Sequence, residues 1–242
     1  MMKKYGMVID LQRCTGCGGC IVACKNENNL PEGIAWSYKI TETKGTFPNV
    51  RFSYIPTLCN HCENAPCVSG CPTQAMYYGE NGIVMHDTRK CIGCRYCMAR
   101  CPYGVISFNW EDPHQSWKED TALIPEGTAS PVEMAQHVGG EVTPYYNPEQ
   151  ETKYAGVRPR GVVEKCNFCA HRLDNNQLPY CVDSCPANAR IFGDLNDIDS
   201  EVNEVLGKFK STRLKEDLGT EPKIFYIREF NRSTYKKTKG GV

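Results

Sequence analysis

The sequence predicts an α+β fold made of two small cysteine-rich modules, one nested inside the other. Three observations support this architecture. The sixteen cysteines fall into four groups of four, short β-prone runs flank these groups, and an Asn81-Gly82 turn signal lies between the second and third groups. The repeated unit is a strand, a cysteine-rich loop, a short helix and a second strand. A sequence of 242 residues can hold one large domain or two small ones.

The composition excludes several classes of function. Lys+Arg and Asp+Glu number 28 each, so no net charge points to a nucleic acid or to an anionic membrane surface. No apolar run approaches the roughly 18 residues that cross a bilayer, and the first eight residues lack the apolar core of a secretory signal. We therefore expect no nucleic-acid partner and no transmembrane segment, and export would need a carrier.

The spacing within the cysteine groups is typical of bacterial ferredoxins. The first and third groups read C-x2-C-x2-C-x3-C, the second widens its middle gap to four residues, and the fourth widens it to eleven. A proline follows each group except the first, where Lys25 stands instead. The four groups are Cys14, Cys17, Cys20 and Cys24; Cys59, Cys62, Cys67 and Cys71; Cys91, Cys94, Cys97 and Cys101; and Cys166, Cys169, Cys181 and Cys185.

Closely spaced thiolates can wrap around a cubane cluster, because the loop curls and turns its backbone N–H groups toward the sulfurs. We expect the fourth cysteine of each group to start a helix and to point toward a neighbouring cluster, as in two-cluster ferredoxins. Sixteen such ligands predict four [4Fe–4S] clusters. Zinc is the weaker alternative, since it favours two knuckles separated by a longer stretch. Disulfides fit poorly, because cysteines two residues apart on a helical turn rarely have the geometry to pair.

The flanking strands assign the groups to modules. Groups two and three form one ferredoxin-like module over residues 52–109, because "AMYYGENGIVMH" predicts a hairpin between them. Groups one and four form the other module from residues 1–51 and 161–195. "YGMVID" and "RGVVEK" predict the strands that enter cysteine loops, and "YGVISFN" and "ANARIFGD" predict strands that leave them.

Two segments lie outside this repeat. Residues 110–160 are rich in Pro and Gly, with at most one or two helical turns around Pro131–His137. This composition predicts an extended insert that binds a partner. The alternative is a surface loop without a role. Residues 196–242 predict a helix over "SEVNEVLGKF" after an Asp197–Asp199 cap signal, then a late strand over "PKIFYIREF" that covers a sheet edge. The final "KKTKGG" is a solvated basic tail.

Some other side chains lie near the cysteines in sequence. His61 stands between Cys59 and Cys62, but thiolates fill all ligand positions, so we expect it behind the ligands or at the surface. Four basic residues flank the cysteine groups, and we expect each either to raise cluster potentials or to lie exposed: Lys25, Arg95, Arg100 and Lys165. Tryptophans expected in the core or at an interface are Trp36, Trp110 and Trp117. No Ser-His-Asp set or nucleotide-binding glycine loop appears in the sequence, so no catalytic residue is predicted.

The whole pattern resembles a known family. The order of the groups and the phrases "YGMVIDLQRCTGCGGC", "TLCNHCENAPCVSGCPTQAM", "CIGCRYCMARCPYGV" and "EKCNFCAHRL" are similar to the iron–sulfur subunits of molybdopterin oxidoreductases, the DMSO reductase superfamily. The resemblance covers nearly the whole sequence. It implies a large catalytic partner that carries molybdenum on two pterin guanine dinucleotides, with the small subunit relaying electrons.

The resemblance also implies which cysteines share a cluster. Respiratory nitrate reductases have a tryptophan where this protein has Cys94 and hold a three-iron cluster there, so Cys94 implies four cubane clusters. The implied ligand sets are Cys14, Cys17, Cys20 and Cys185 for cluster one; Cys24, Cys166, Cys169 and Cys181 for cluster two; Cys59, Cys62, Cys67 and Cys101 for cluster three; and Cys71, Cys91, Cys94 and Cys97 for cluster four.

Within the superfamily, "KITETKGTFPNVRFSYIPTLCNHC", "CPYGVISFNWEDPHQSW", "GTASPVEMAQHVGGEVTPYYNPE" and "PKIFYIREF" most resemble the small subunit of respiratory arsenate reductase. This implies a partner that reduces arsenate to arsenite, and an electron donor such as a c-type cytochrome or a quinol-oxidising membrane protein. It also implies a periplasmic location, reached with a partner that bears a twin-arginine signal; a cytoplasmic location is the alternative. Subunits of polysulfide, thiosulfate, tetrathionate and DMSO reductases remain alternatives.

Two hypotheses from other classes fit the sequence less well. An iron–sulfur sensor or a cluster-storage protein would act through binding, but a sensor usually adds a DNA-binding element, and no helix-turn-helix pattern or basic face appears in the sequence. A self-contained redox enzyme would need an organic cofactor site, and no motif for one is present. A protein with four redox centres and no substrate-activating group is therefore expected to relay electrons.

Overall fold

The computed structural model describes residues 3–114, 120–122, 124–140 and 156–228, with short strands and helices in an α+β arrangement, as predicted. The strands are β1 (Tyr5–Asp10), β2 (Ser37–Thr46), β3 (Asn49–Leu58), β4 (Met76–Tyr78), β5 (Val84–His86), β6 (Ser107–Phe108), β7 (Val163–Glu164), β8 (Arg190–Asp194), β9 (Ser211–Thr212) and β10 (Ile224–Ile227). The helices are α1 (Gly19–Glu27), α2 (Pro66–Ser69), α3 (Tyr96–Arg100), α4 (Pro131–His137), α5 (Ala170–Asp174), α6 (Tyr180–Asp183) and α7 (Glu201–Lys208). Within the described ranges, no helix is long and apolar enough to span a membrane.

The largest sheet has four strands in the order β8-β1-β10-β9. Strand β1 runs antiparallel to β8 and parallel to β10, so Met7 lies between Phe192 and Ile224. Side chains of β1 alternate between two buried faces, which explains its nearly continuous apolar sequence. Val8 packs on one face with Val202 of α7. Met7 and Ile9 pack on the other face, in the core that also contains buried cysteines.

The C-terminal elements confirm the predicted helix and strand but correct two details. The cap of α7 is Ser200, whose Oγ accepts a hydrogen bond from the Asn203 N–H at 3.4 Å, instead of the predicted Asp197–Asp199 signal. The late strand β10 lies inside the sheet, because β9 pairs with its outer side. The remainder of "PKIFYIREF", the basic tail, Trp117 and much of the insert lie outside the described residues.

The four strands predicted around the cysteine loops are present. Strands β4 and β5 form the predicted antiparallel hairpin, with Gly82 at φ +69° in its turn. Strands β6 and β7 pair antiparallel through Ser107 and Glu164. This pairing joins the segment that follows group three to the segment that enters group four, so the two predicted modules share a small sheet.

A long hairpin of β2 and β3 was not predicted. Its ten-residue strands pair from Ser37 opposite Leu58 to Thr46 opposite Asn49, and most of β2 is exposed. Gly45 is required near the turn, since it has φ +94° and a Cβ there would lie 2.2 Å from the Asn49 oxygen. The polar alternation of "KITETKG" fits a ribbon that is exposed on both faces at its tip.

Candidate iron–sulfur centres

Each of the four cysteine groups has its own loop and short helix, and the arrangement is the same in all four. The third cysteine of every group occupies the second position of a helix, and these residues are Cys20, Cys67, Cys97 and Cys181. The fourth cysteine follows four residues later, about one turn and about 6 Å along the helix axis. It therefore emerges beyond the helix at Cys71, Cys101 and Cys185, and lies within the longer α1 at Cys24. The expectation that the fourth cysteine starts a helix is thus wrong, because the helix begins at the third.

A left-handed residue precedes the second cysteine in all four groups. The φ angles there are +69° at Gly16, +43° at His61, +68° at Gly93 and +56° at Phe168. This conformation is accessible to glycine and uncommon for bulky residues. It turns each loop back on itself, so that the first two sulfurs of a group can face the same space.

Three cavities are each lined by four cysteines from two different groups. Cavity I is lined by Cys14, Cys17, Cys20 and Cys185. Cavity III is lined by Cys59, Cys62, Cys67 and Cys101. Cavity IV is lined by Cys71, Cys91, Cys94 and Cys97. In each case the fourth cysteine of one group joins the first three of another.

The remaining four cysteines have neighbouring thiols and are here called set II: Cys24, Cys166, Cys169 and Cys181. Burial, followed by the other three thiols of the set, raises the pKa of Cys24 well above its ordinary value. The structure thus brings together the same four cysteine sets that the resemblance implies. Their role as cluster ligands stays a prediction at this point.

The sets differ in exposure. All four thiols of set II are buried, as are Cys59, Cys62 and Cys67 of cavity III. Cavities I and IV each have one exposed thiol, Cys17 and Cys94. Two of the four sites therefore have a thiol at the surface; the other two, here called the interior sites, have no exposed thiol, although Cys101 of cavity III is half-buried.

The chemistry of the donor set fits a [4Fe–4S] cluster. Backbone N–H groups point at sulfur atoms: Gly19 lies 3.5 Å from Cys17 Sγ, Phe168 3.4 Å from Cys166 Sγ, Ala189 3.4 Å from Cys185 Sγ and Met76 3.5 Å from Cys71 Sγ. Such donors favour thiolates. Within the described residues, no three His, Cys, Asp or Glu side chains converge closely enough to hold a single metal ion. The sulfurs instead surround spaces, as a polynuclear cluster requires.

Burial raises the pKa of several of these thiols. The pKa values reach about 12 at Cys67 and Cys169, and about 11 at Cys62 and Cys97. Buried thiols with raised pKa values become thiolates only when a positively charged centre compensates them, and bound metal does this directly. Burial alone therefore favours the neutral thiols, and bound metal would supply the compensating charge.

Arg190, which the sequence did not single out, lies between cavity I and set II. Its guanidinium donates to Cys20 Sγ at 3.3 Å and to Cys181 Sγ at 3.5 Å, and a third hydrogen bond joins it to Ser37 Oγ at 3.1 Å. Arg190 is only 4% exposed. The available signal was its position, directly after the loop that follows Cys185 and at the start of a predicted strand.

Lys165 occupies the corresponding place between set II and cavity III. This buried ammonium donates to the carbonyl of Cys166 at 2.9 Å and to the carbonyl of Val84. Its charge lowers the pKa of Cys59, although burial is the larger effect and leaves that pKa raised. Of the two alternatives predicted for Lys165, exposure is excluded, and the effect on cluster potentials stays a prediction.

The other basic candidates are less buried, and one of them, Arg95, lines cavity IV. Lys25 is half-buried and donates to the carbonyls of Pro31 at 3.0 Å and Ile34 at 2.6 Å. Arg95 and Arg100 are exposed. Arg95 stacks on Trp110, whose ring centroid is 4.6 Å away. The predicted effect of these three residues on cluster potentials stays a prediction.

The structure also shows how deeply the tryptophan and histidine candidates are buried. Trp36 is buried in the core, as predicted, whereas Trp110 is 60% exposed. His61 is fully buried and lines cavity III. It lies behind the thiols and not at the surface. Burial, reinforced by Lys165 and Lys223, lowers the pKa of His61 well below its ordinary value.

Comparison with known proteins agrees with this geometry. The sequence profile of the 4Fe-4S dicluster domain family matches residues 50–119 and 118–195, which together contain groups two, three and four. The protein belongs to this family. It is also 50% identical to the arsenate respiratory reductase iron–sulfur subunit of Shewanella sp. strain ANA-3, over 96% of this protein and 99% of that one.

Other relatives have related names. The protein is 42% identical to a selenate reductase subunit from Mesobacillus selenatarsenatis, over 93% of this protein and 72% of that one. It is 34% identical to the B subunit of polysulfide reductase from Wolinella succinogenes, over 94% of this protein and 95% of that one. The prediction of an iron–sulfur, electron-transfer subunit of a respiratory oxidoreductase is confirmed.

Proposed function

We propose that this protein carries four [4Fe–4S] clusters in a row and relays electrons between a donor and a molybdenum-containing arsenate reductase subunit. The observation that carries this proposal is the order of the four cysteine sets, with an exposed thiol in each end set and no exposed thiol in the two sets between. The four ligand sets would be those that line cavity I, form set II, and line cavities III and IV.

The linear order follows from the elements that the sets share. Helix α1 carries Cys20 of cavity I and Cys24 of set II, so these two sites are neighbours. Cys59 of cavity III is the thiol that, after burial, most raises the pKa of Cys166 in set II. Helices α2 and α3 join cavities III and IV, since α3 carries Cys97 and ends at Cys101. The order is therefore I, II, III and IV.

Each bound cluster would store and pass one electron at a time, with a potential set by hydrogen bonds, charge and solvent exposure. The protein's own residues fix the spacing, bury most thiols of the two inner sites and place N–H donors and cations near the sulfurs. Arg190 puts positive charge between cavity I and set II, and Lys165 does so between set II and cavity III. This opposes the charge that accumulates when electrons enter the row.

We further propose that the cysteine sets divide the protein into nested ferredoxin-like modules, residues 1–51 with 161–195 and residues 52–109. Each module would hold two clusters by exchanging its fourth cysteines. The β6–β7 pairing and the Val84–Lys165 hydrogen bond then join the modules at their inner clusters. Residues 196–242 would complete the first module, because β10 pairs with β1.

Residues 110–160 would bind the catalytic subunit. The insert has an exposed helix, α4, whose start is fixed by a capping box between Ser130 and Glu133. Its far end is held by Arg158, which pairs with Glu164 at 2.6 Å and donates to the Asn28 carbonyl at 2.7 Å. The C-terminal end of the insert is thus tied to the body, while exposed apolar side chains such as Val138 are available for a partner.

The choice of arsenate rests on the full-length similarity to an arsenate respiratory reductase subunit. The partner would carry the molybdenum bis-pterin cofactor, and a c-type cytochrome or a quinol-oxidising membrane protein would supply electrons. The complex would work in the periplasm, with the partner carrying the twin-arginine signal. A polysulfide, tetrathionate or related reductase is the alternative, since the polysulfide reductase polypeptide also aligns over nearly its whole length.

Co-purification tests this function directly. The tagged protein, purified anaerobically, should bring with it a large molybdenum-containing subunit. The complex should oxidise a reduced viologen dye when arsenate is added. Dye oxidation by polysulfide or tetrathionate but not by arsenate would retain the electron-relay role and reject the substrate. A cluster-loaded protein that never associates with a molybdenum subunit would reject the relay role.

A further inference from the structure

The residue before the second cysteine divides the four loops into two classes. It is glycine at Gly16 and Gly93, beside the two sites that reach the surface. It is bulky at His61 and Phe168, beside the two interior sites, although both have positive φ angles of +43° and +56°. This conformation is unfavourable for a residue with a Cβ atom, which approaches the following carbonyl oxygen too closely. Such strain at two equivalent positions suggests a function for the side chains.

These two side chains meet at the junction of the interior sites. The ring centroids of His61 and Phe168 lie 3.8 Å apart with an interplanar angle of 30°. Both residues are almost completely buried. Phe168 therefore packs against the face of the imidazole and holds the ring in one orientation.

The hydrogen bonding of His61 fixes where its proton lies. The backbone N–H of Val84 points at His61 Nδ1 from 3.2 Å. A backbone amide can only donate, so Nδ1 accepts and carries no proton. The neutral ring must then carry its proton on Nε2.

The Nε2–H group is a buried donor without an acceptor. Among the described residues, no protein atom forms a hydrogen bond with His61 Nε2. A buried N–H group that has lost its water partners is destabilising unless it finds an acceptor, so an acceptor is expected. His61 lines cavity III together with Cys59, Cys62, Cys67 and Cys101.

We propose that His61 Nε2–H donates a hydrogen bond to a sulfur atom of the cluster in cavity III and raises the reduction potential of that cluster. This inference rests on the proposed function, which places a [4Fe–4S] cluster there. A donor of this kind stabilises the reduced form most, because reduction makes the sulfurs more negative. His61 is thus a positioning and tuning residue, and Val84 and Phe168 determine its tautomer and orientation.

The first experiment uses the wild-type protein and needs no variant. Protein labelled with ¹⁵N at histidine and reduced in D₂O is examined by pulsed electron paramagnetic resonance. We expect one reduced cluster to couple to a histidine nitrogen and to an exchangeable deuteron. Iron analysis of the same sample tests the proposed function separately. A full complement of clusters without any histidine coupling would overturn the role of His61 alone, whereas an empty cavity III would overturn both proposals.

The second experiment is a redox titration of the protein in its complex. His61→Phe keeps the ring and removes the donor, so one of four midpoint potentials should fall. The reduced form of that cluster should become about tenfold less favoured, which is 59 mV for one electron. His61→Gln should restore most of the loss, since its amide can accept from Val84 and donate to sulfur. Ile198→Gln, at an exposed residue outside both the insert and the cysteine loops, is the control and should leave all four potentials unchanged.

Two outcomes of the titration would contradict the proposal. Four unchanged potentials in a fully loaded His61→Phe complex would show that no donor had been removed. Equal shifts in His61→Phe and His61→Gln would indicate a packing effect instead of a hydrogen bond. If His61→Phe loses its cluster, the nitrogen coupling of the wild-type protein decides between a donor and a purely structural residue.

Discussion

Arg190 donates one hydrogen bond to Cys20 Sγ at 3.3 Å and another to Cys181 Sγ at 3.5 Å. These sulfurs belong to different sites, cavity I and set II. Burial disfavours the charged guanidinium, but the surrounding sulfurs outweigh burial and raise the pKa of Arg190. A single buried cation therefore lies between two neighbouring cysteine sets.

Replacing Arg190 should affect those two sites together. In Arg190→Met the side chain keeps much of its volume but loses its charge and its donors, so the potentials of clusters one and two should both fall. Clusters three and four should keep theirs. Potentiometric titration of the complex measures this, with Arg213→Met as a control at a partly exposed arginine that pairs with Glu216. A shift in only one cluster would contradict the bridging position.

Two cysteines of the α6 segment should have separable effects. Cys181 lies in set II, while Cys185, one helical turn later, lines cavity I. Cys185→Ser should therefore alter the spectrum of the cluster bound by Cys14, Cys17 and Cys20. The matched variant Cys181→Ser should alter the neighbouring cluster. Electron paramagnetic resonance of the reduced proteins compares them, and identical changes in both variants would reject the exchanged pairing.

The exposed face of α4 should determine association with the partner. Met134 and Val138 lie four residues apart and are 49% and 73% exposed. The double variant Met134→Asp, Val138→Asp should weaken binding of the catalytic subunit at least about tenfold, because two charges would enter an apolar contact. The iron content should not change. Ile198→Asp, at another exposed apolar residue outside the insert, is the control, and unaltered affinity of the double variant would exclude α4 from the interface.

The buried ion pair that holds the end of the insert should contribute to stability. Arg158 and Glu164 are 6% and 1% exposed and lie 2.6 Å apart. Glu164→Gln leaves the guanidinium without its counter-charge, so the free energy of unfolding should fall by about 3 kcal/mol. Chemical denaturation of the cluster-loaded protein measures this loss. Glu204→Gln removes an exposed pair with Lys208 and should have little effect; equal losses would contradict the argument.

Much of the fold was accessible from the sequence because cysteine spacing is a strong constraint. The strands near each group and the Asn81-Gly82 hairpin were recovered, since apolar alternation and turn chemistry are local signals. The β2–β3 hairpin was missed because its outer half buries no apolar face, so no periodic pattern marks it.

The residues that surround the cysteines were harder to find. A buried cation such as Arg190 has the same one-letter signature as a surface arginine, and only its contacts with sulfur distinguish the two. The position of the helix relative to each group was also wrong, because spacing alone does not reveal which cysteine begins the helical turn. The exposure of His61 was left open for the same reason, since burial depends on Phe168, which is distant in sequence but packs on the imidazole.

Iron content combined with spectroscopy of the oxidised protein tests the central claim most directly. The anaerobically purified protein should contain about sixteen iron atoms, four for each proposed cluster, and should show no three-iron signal when oxidised. An iron content near twelve with a three-iron signal, or zinc in place of iron, would contradict the account of four [4Fe–4S] clusters.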